Sequence, residues 1–212
     1  MAVFKTQIQD IIGDFDDDVA INQFLTDGAK ELISMMPLQL KEKCTAETTL
    51  NNSATTMDMD GVGEILYVNR LSANSGGTRI PCRQVPSMYG EMAGDSSSIY
   101  YASVTDPVYW ISSSSDATIL NVLPLPEATQ TSIVYHVAYP SVVGSDVSVI
   151  ANFPDELEYL VVLYAAIKIA ERQLIEEEDI ELYTPIIATL KQDYIQGLQN
   201  SGLVQIQPQG AK

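Results

Sequence analysis

The sequence predicts an α+β fold: a four-helix bundle with an inserted antiparallel β barrel or sandwich, followed by an extended C-terminal tail. Three observations carry that expectation. Residues 17–36 and 154–175 have helical apolar spacing and helix-entry signals. Residues 41–140 turn to Thr, Ser, Val, Tyr and Ile, broken by frequent turn residues. Each helical pair flanking that stretch is too small to bury its own apolar faces, so the pairs must meet and the β region must project from them. The expected division is residues 1–40 with 152–199 for the helical domain, 41–151 for the β domain and 200–212 for the tail.

Ile8, Ile11 and Ile12 predict a short first helix stopped at Gly13. Asp14-Phe15-Asp16-Asp17-Asp18 then offers carboxylates to cap a second helix. In that helix Ile21, Phe24, Leu25, Gly28, Leu32, Ile33 and Met36 share one face, and Pro37 ends it.

Five strand-like runs follow: Glu64 to Arg70, Ile99 to Val104, Val108 to Ile111, Thr118 to Leu123 and Thr131 to Tyr139. Asn74-Ser75-Gly76-Gly77 reads as a hairpin turn. Pro124-Leu125-Pro126-Glu127-Ala128 reads as a turn between the last two strands. Asp58 to Gly63 reads as a tight turn before the first.

The third helix starts at Phe153-Pro154-Asp155-Glu156 and is predicted to run to about Ile175. Proline is tolerated in a first turn, and Asp155, Glu156 and Glu158 suit the positive end of the helix dipole. From Leu160 to Ala170 only Lys168 is charged, so the helix is apolar around nearly its whole girth. Such a helix is either central to a bundle or covered by another copy of the chain. Glu176-Glu177-Glu178-Asp179 reads as a solvated acidic turn. Thr184-Pro185 reads as the cap of a fourth helix, with a longer helix from Asp179 as the alternative. Tyr183, Ile187, Leu190, Tyr194 and Leu198 form its apolar face.

At 212 residues and 46% hydrophobic content the chain can bury a substantial core. Its 28 acidic and 11 basic residues give a formal charge of −17. That balance argues against nucleic-acid binding as its task and against attraction to anionic membranes. Cys44 and Cys82 are expected to remain free thiols in a reducing cytoplasm. The N-terminal residues lack the apolar run of a signal peptide, and no run is long enough to span a membrane.

No catalytic, metal or cofactor constellation emerges. His136 is the only histidine; it sits in a strand between Tyr135 and Val137 and reads as structural, with the general base of a hydrolase as the alternative. One His and two distant Cys do not make a zinc site. The Asp14 to Asp18 run fails the EF-hand pattern, with Val19 where the turn glycine belongs and Leu25 where the bidentate Glu belongs. Ser96 to Ser98 and Ser112 to Ser115 read as exposed loop residues. Tyr100, Tyr101, Tyr109 and Trp110 read as core or interface aromatics, with sugar stacking as the alternative.

Ile21 to Pro37, and Phe153 to Leu157 running into the apolar helix, the acidic turn and a tyrosine-bearing last helix, resemble the head-to-tail adaptor (connector) proteins of tailed bacteriophages. The resemblance implies a non-enzymatic virion protein: a ring of about twelve copies bound beneath the portal, extending the DNA channel and presenting a surface to the tail. It implies assembly in the host cytoplasm and a place in the virion neck. The implied partners are further copies of the chain, the portal, and a tail, terminator or nozzle protein, with DNA passing unbound past acidic residues. It also implies portal docking through the C-terminal segment, here Gln199, Leu203, Val204, Gln205, Ile206, Gln207 and Pro208. Leu160, Leu163, Tyr164 and Ile167 are the subunit-interface candidates. Glu176, Glu177, Glu178 and Asp179 are the channel-facing acidic candidates, with the Asp14 to Asp18 run as the other choice. The alternative function is a carbohydrate-binding or host-recognition β module of a virion surface protein, resting on Tyr109 and Trp110.

Overall fold

The computed structural model describes residues 2–50, 56–59, 62–71, 78–114, 117–125, 131–144, 147–177 and 180–204. The chain is α+β and divides into two compact units, Met1–Cys44 with Tyr139–Lys212, and Thr45–Ala138.

The first unit holds helices α1 (Phe4–Ile12), α2 (Asp18–Met35), α3 (Leu38–Lys41), α4 (Glu158–Glu177) and α5 (Ile180–Asn200). Helix α4 packs against α1, α2 and α5. Leu160, Val161, Ala165, Ala166, Ile169 and Ala170 are fully buried by this chain alone. The apolar girth is therefore answered largely inside one molecule, and each fully buried Leu, Ile or Val contributes about 1.5–3 kcal/mol.

Local chemistry sets the helix ends. Asp17 Oδ1 accepts from the Ala20 N–H at 3.0 Å and caps α2. Pro37 prevents continuation past Met36, and the short α3 follows with a 3-10 turn at Glu42–Cys44. Another 3-10 turn, Asp155–Leu157, leads into α4. Helix α5 begins at Ile180 with Pro185 inside it, so the longer of the two predicted helices forms and Thr184 is not its cap. Its far end closes at Gly202, where φ is +73° and the N–H groups of Leu203 and Val204 turn back to the Leu198 carbonyl.

The second unit holds β1 (Thr45–Leu50), β2 (Thr56–Asp58), β3 (Ile65–Leu71), β4 (Arg79–Pro81), β5 (Arg83–Gln84), β6 (Val108–Ser114), β7 (Ala117–Leu123) and β8 (Ser132–Val137). Among the described residues they form two four-stranded sheets, ordered β1-β8-β3-β4 and β2-β7-β6-β5, and no closed barrel. All pairs are antiparallel except β5 with β6, which is parallel. A register shift between Ile65 and Tyr67 marks a bulge in β3. Leu50, Met59, Val68, Cys82, Tyr109, Leu120, Val122 and Val134 form the main core of this unit.

Two expectations are corrected here. Ile99 to Val104 is not a strand but part of a turn-rich loop, because Ser98 and Asp95 bind the local backbone and Tyr100 packs flat on Tyr89. Ser112 to Ser114 belong to β6 rather than to a loop. The predicted turn at Asn74 to Gly77 lies outside the described residues, as do parts of the turns predicted at Asp58 to Gly63 and Pro124 to Ala128.

Candidate assembly site

In the helical unit α2, α4 and α5 meet at small residues, and one carboxylate of α2 is bonded to α5. Tyr164 of α4 lies against Gly28 of α2, where a Cβ would stand 2.8 Å from the ring's Cδ1. At Gly197 of α5 a Cβ would stand 2.5 Å from Leu160 Cδ2 and 2.9 Å from the Tyr159 hydroxyl. The Tyr194 hydroxyl donates to Glu31 Oε1 at 3.2 Å, and the Glu31 charge also acts on the Tyr164 hydroxyl. Burial and then the Glu31 charge push both tyrosine hydroxyls above their ordinary range, so both remain protonated donors. The Lys168 ammonium sits over the Tyr164 ring, 5.7 Å from its centroid, and pairs with Glu171 at 3.2 Å.

The two acidic runs meet at one end of this unit. Arg172 Nη1 reaches Asp17 Oδ2 at 2.8 Å, while its Nε reaches Glu176 Oε1 at 2.7 Å. The same guanidinium lies 5.6 Å from the Phe15 ring centroid. Lys5 pairs with Asp18 at 2.8 Å and Asp16 at 3.7 Å. The Ala20 N–H, then the Arg172 charge, hold the Asp17 carboxyl below its usual range. Asp14 and Glu181 are exposed. Start of α2, end of α4 and start of α5 thus form one acidic end, not two competing faces. Of the channel candidates, Glu176 is exposed and bonded to Arg172, and Glu177 closes α4. Glu178 and Asp179 lie outside the described residues.

Among the subunit-interface candidates, Leu160 and Ile167 are buried within the unit, whereas Leu163 and Tyr164 are half-buried. Among the docking candidates, Gln199 and Leu203 are half-buried and Val204 is exposed. Gln205, Ile206, Gln207 and Pro208 lie outside the described residues. Where α5 ends, Leu40, Glu156, Leu157, Tyr159, Asn200 and Ser201 line a groove of about 320 Å³. Lys43 closes on Glu156 there at 2.6 Å.

The residues weighed for chemistry serve packing. His136 is buried, its Nε2 3.0 Å from Thr48 Oγ1 and its Nδ1 3.1 Å from the Val137 carbonyl, so both ring nitrogens have partners. Burial pushes the Cys44 thiol up to about 11 and the Cys82 thiol to about 12, which makes both poor nucleophiles. Tyr109 is buried in the β core, and the Trp110 ring presses on Gly90. Tyr109 is thus closed to sugar stacking, and Trp110 is half-buried. Among the described residues no group of His, Cys, Asp and Glu is arranged to hold a metal ion, and no helix is long and apolar enough to cross a membrane.

Sequence reading passed over Glu31 and Arg172. The signal for Arg172 was present: it is four residues before Glu176 on one helix face, the spacing of an ion pair. Glu31 carried no such signal, since its partner Tyr194 lies 163 residues later.

Residues 2–207 match the model of a family described as SU10 adaptor protein. No curated protein matches the chain.

Proposed function

Because the chain belongs to the SU10 adaptor protein family, a phage head-to-tail adaptor family, we propose that it docks beneath the portal as a ring and continues the DNA channel toward the tail. A phage structural adaptor of this kind sits in the virion neck and meets portal and tail proteins. Its task is structural rather than catalytic. The proposed ring has about twelve copies and assembles in the host cytoplasm, with its helices forming a four-helix base.

The observation that carries the channel reading is the merged acidic end. Among the described residues, Asp16, Asp17, Asp18 and Glu176 gather around Lys5 and Arg172 in ion pairs, with exposed Asp14 and Glu181 close to them in sequence. A lumen wall of that sign repels passing phosphates and so lets DNA slide. Half-buried Leu163 and Tyr164 are the positions we assign to the neighbouring subunit. The segment from Gln199 through Pro208 is the proposed portal contact, since coupled folding suits a polar tail with few apolar anchors.

Electron microscopy of the purified chain mixed with its portal tests this reading. A ring of density under the portal is expected. Particles in which portal and chain remain separate would count decisively against it. Burial of Tyr109 weakens the carbohydrate alternative, which is left with half-buried Trp110.

A further inference from the structure

Residues 85–107 connect β5 to β6 through two 3-10 turns, Ser87–Tyr89 and Glu91–Gly94. Loops this long inside a compact unit are uncommon and tend to carry function. This one is built to hold its shape. Tyr89 and Tyr100 stack with centroids 4.4 Å apart and planes 10° apart. The Ala102 N–H donates to the Ala93 carbonyl at 2.9 Å. Gly90 sits under Trp110 so closely that a Cβ would fall 2.4 Å from the indole. Asp95 accepts from the Ser97 N–H and hydroxyl, which keeps its carboxyl below the usual range. Val85, Ala93, Ala102 and Val108 form a separate small core beneath.

That scaffold holds large apolar side chains in water. Met88 is 78% exposed, Ile99 86%, Met92 49% and Tyr101 42%. The tyrosine stack brings Met88 and Ile99, each one residue before its ring, to the same part of the lobe. The Ala93–Ala102 bond does the same for Met92 and Tyr101. A rigid lobe that exposes Met, Ile and Tyr in this way is an interaction surface, not a packing accident.

Charge decides the occupant. The segment contains Glu91, Asp95 and Asp106 and no Lys or Arg, and Asp106 is already paired with Arg83 at 3.0 Å. Glu91 and Asp95 therefore face a partner with no cation beside them, which suits a basic rim and opposes the like-charged lobe of a second copy. We propose that the lobe of residues 85–107 docks on a different virion protein, into an apolar surface rimmed by Lys and Arg. This rests on the adaptor reading and names the chemistry of one partner.

The test uses particles assembled in cells that lack the parent gene and are supplied with the chain or a variant. Presence of the parent chain in particles is scored first; its absence would sink the adaptor reading separately, before any variant is compared. Met88→Asp with Ile99→Asp, both at exposed positions, should leave the Tm and the mass of the purified assembly unchanged. It should lower the yield of complete head–tail particles by about tenfold, the scale of losing hot-spot contacts. Glu91→Lys should lower the yield too, and raised salt should narrow its gap to the parent. Whichever joint fails identifies the neighbour that carries the basic-rimmed surface. Loss of self-assembly in the double variant would assign the lobe to a second copy and overturn the proposal, as would a normal particle yield.

Discussion

Tyr164 lies across Gly28, so close that α2 and α4 meet with no room for a methyl group between them. The atoms in the way are the Cβ of Tyr164 and the Cγ and Cδ1 of its ring, which cannot swing aside as a flexible chain end can. Gly28→Ala should therefore destabilise the chain by about 1–3 kcal/mol through overpacking. That outcome runs against the roughly 1 kcal/mol that alanine gains over glycine in an open helix. Urea unfolding of both proteins decides between the two effects; a stabilised variant would show that the helices can part.

Ala165 is fully buried on α4. Ala165→Glu would place an unpaired charge there, which costs about 3–5 kcal/mol. The expected result is a chain that does not accumulate in soluble form. Circular dichroism and size-exclusion on any soluble fraction check it, and a folded, assembling variant would show that this face can open.

Glu158 should make stability fall as pH rises. It is buried, and its Oε1 accepts from the Ile150 N–H at 2.5 Å. Burial raises its carboxyl above the ordinary value, against the opposing pull of that N–H, and the Asp155 charge adds to the rise. The folded chain then holds this proton more tightly than the unfolded chain, whose glutamates titrate near about 4.3. Its contribution is full below that unfolded value and is lost as pH rises through the folded one. Glu158→Gln keeps an acceptor for Ile150 and removes the titration. Denaturant midpoints should show a shallower slope across this window and no loss at pH 7.

Thiol labelling at pH 8 should leave both cysteines unmodified in the folded chain. With the Cys44 thiol near 11, its thiolate fraction is on the order of a thousandth. Two equivalents of label should enter once urea is added. Prompt labelling without urea would mean that Cys44 or Cys82 opens to solvent locally.

Charge reversal at the acidic end bears on the channel reading. Asp14→Lys with Glu181→Lys alters exposed positions and leaves the Arg172 bonds in place. Particles carrying it should release DNA more slowly than the parent in a fluorescence ejection assay, with the difference shrinking at high salt. Equal rates would remove this end from the lumen.

The helices were legible because their signals are local. Asp17 caps where an aspartate run precedes an apolar period, and Pro37 stops what it should stop. Pro185 misled because proline usually marks a helix start, yet here the helix begins five residues earlier and tolerates it. Ile99 to Val104 has strand composition, but its aromatics face a loop partner, Tyr89, rather than a sheet. The division into two sheets was not legible, since β1 pairs with β8 across almost the whole insert. The same holds for the acidic runs. Only the fold brings Asp17 and Glu176 to one arginine.

The central place of α4 also has a consequence for biosynthesis. Helices α1 and α2 leave the ribosome before the β unit, but the helix they pack on leaves after it. The early helices must wait with Ile21, Leu25 and Leu32 uncovered while the middle of the chain folds by itself. Nascent chains stalled near residue 150 should therefore contain a protease-resistant centre and a protease-sensitive N-terminal arm. An arm already resistant at that length would mean that some other surface shelters it.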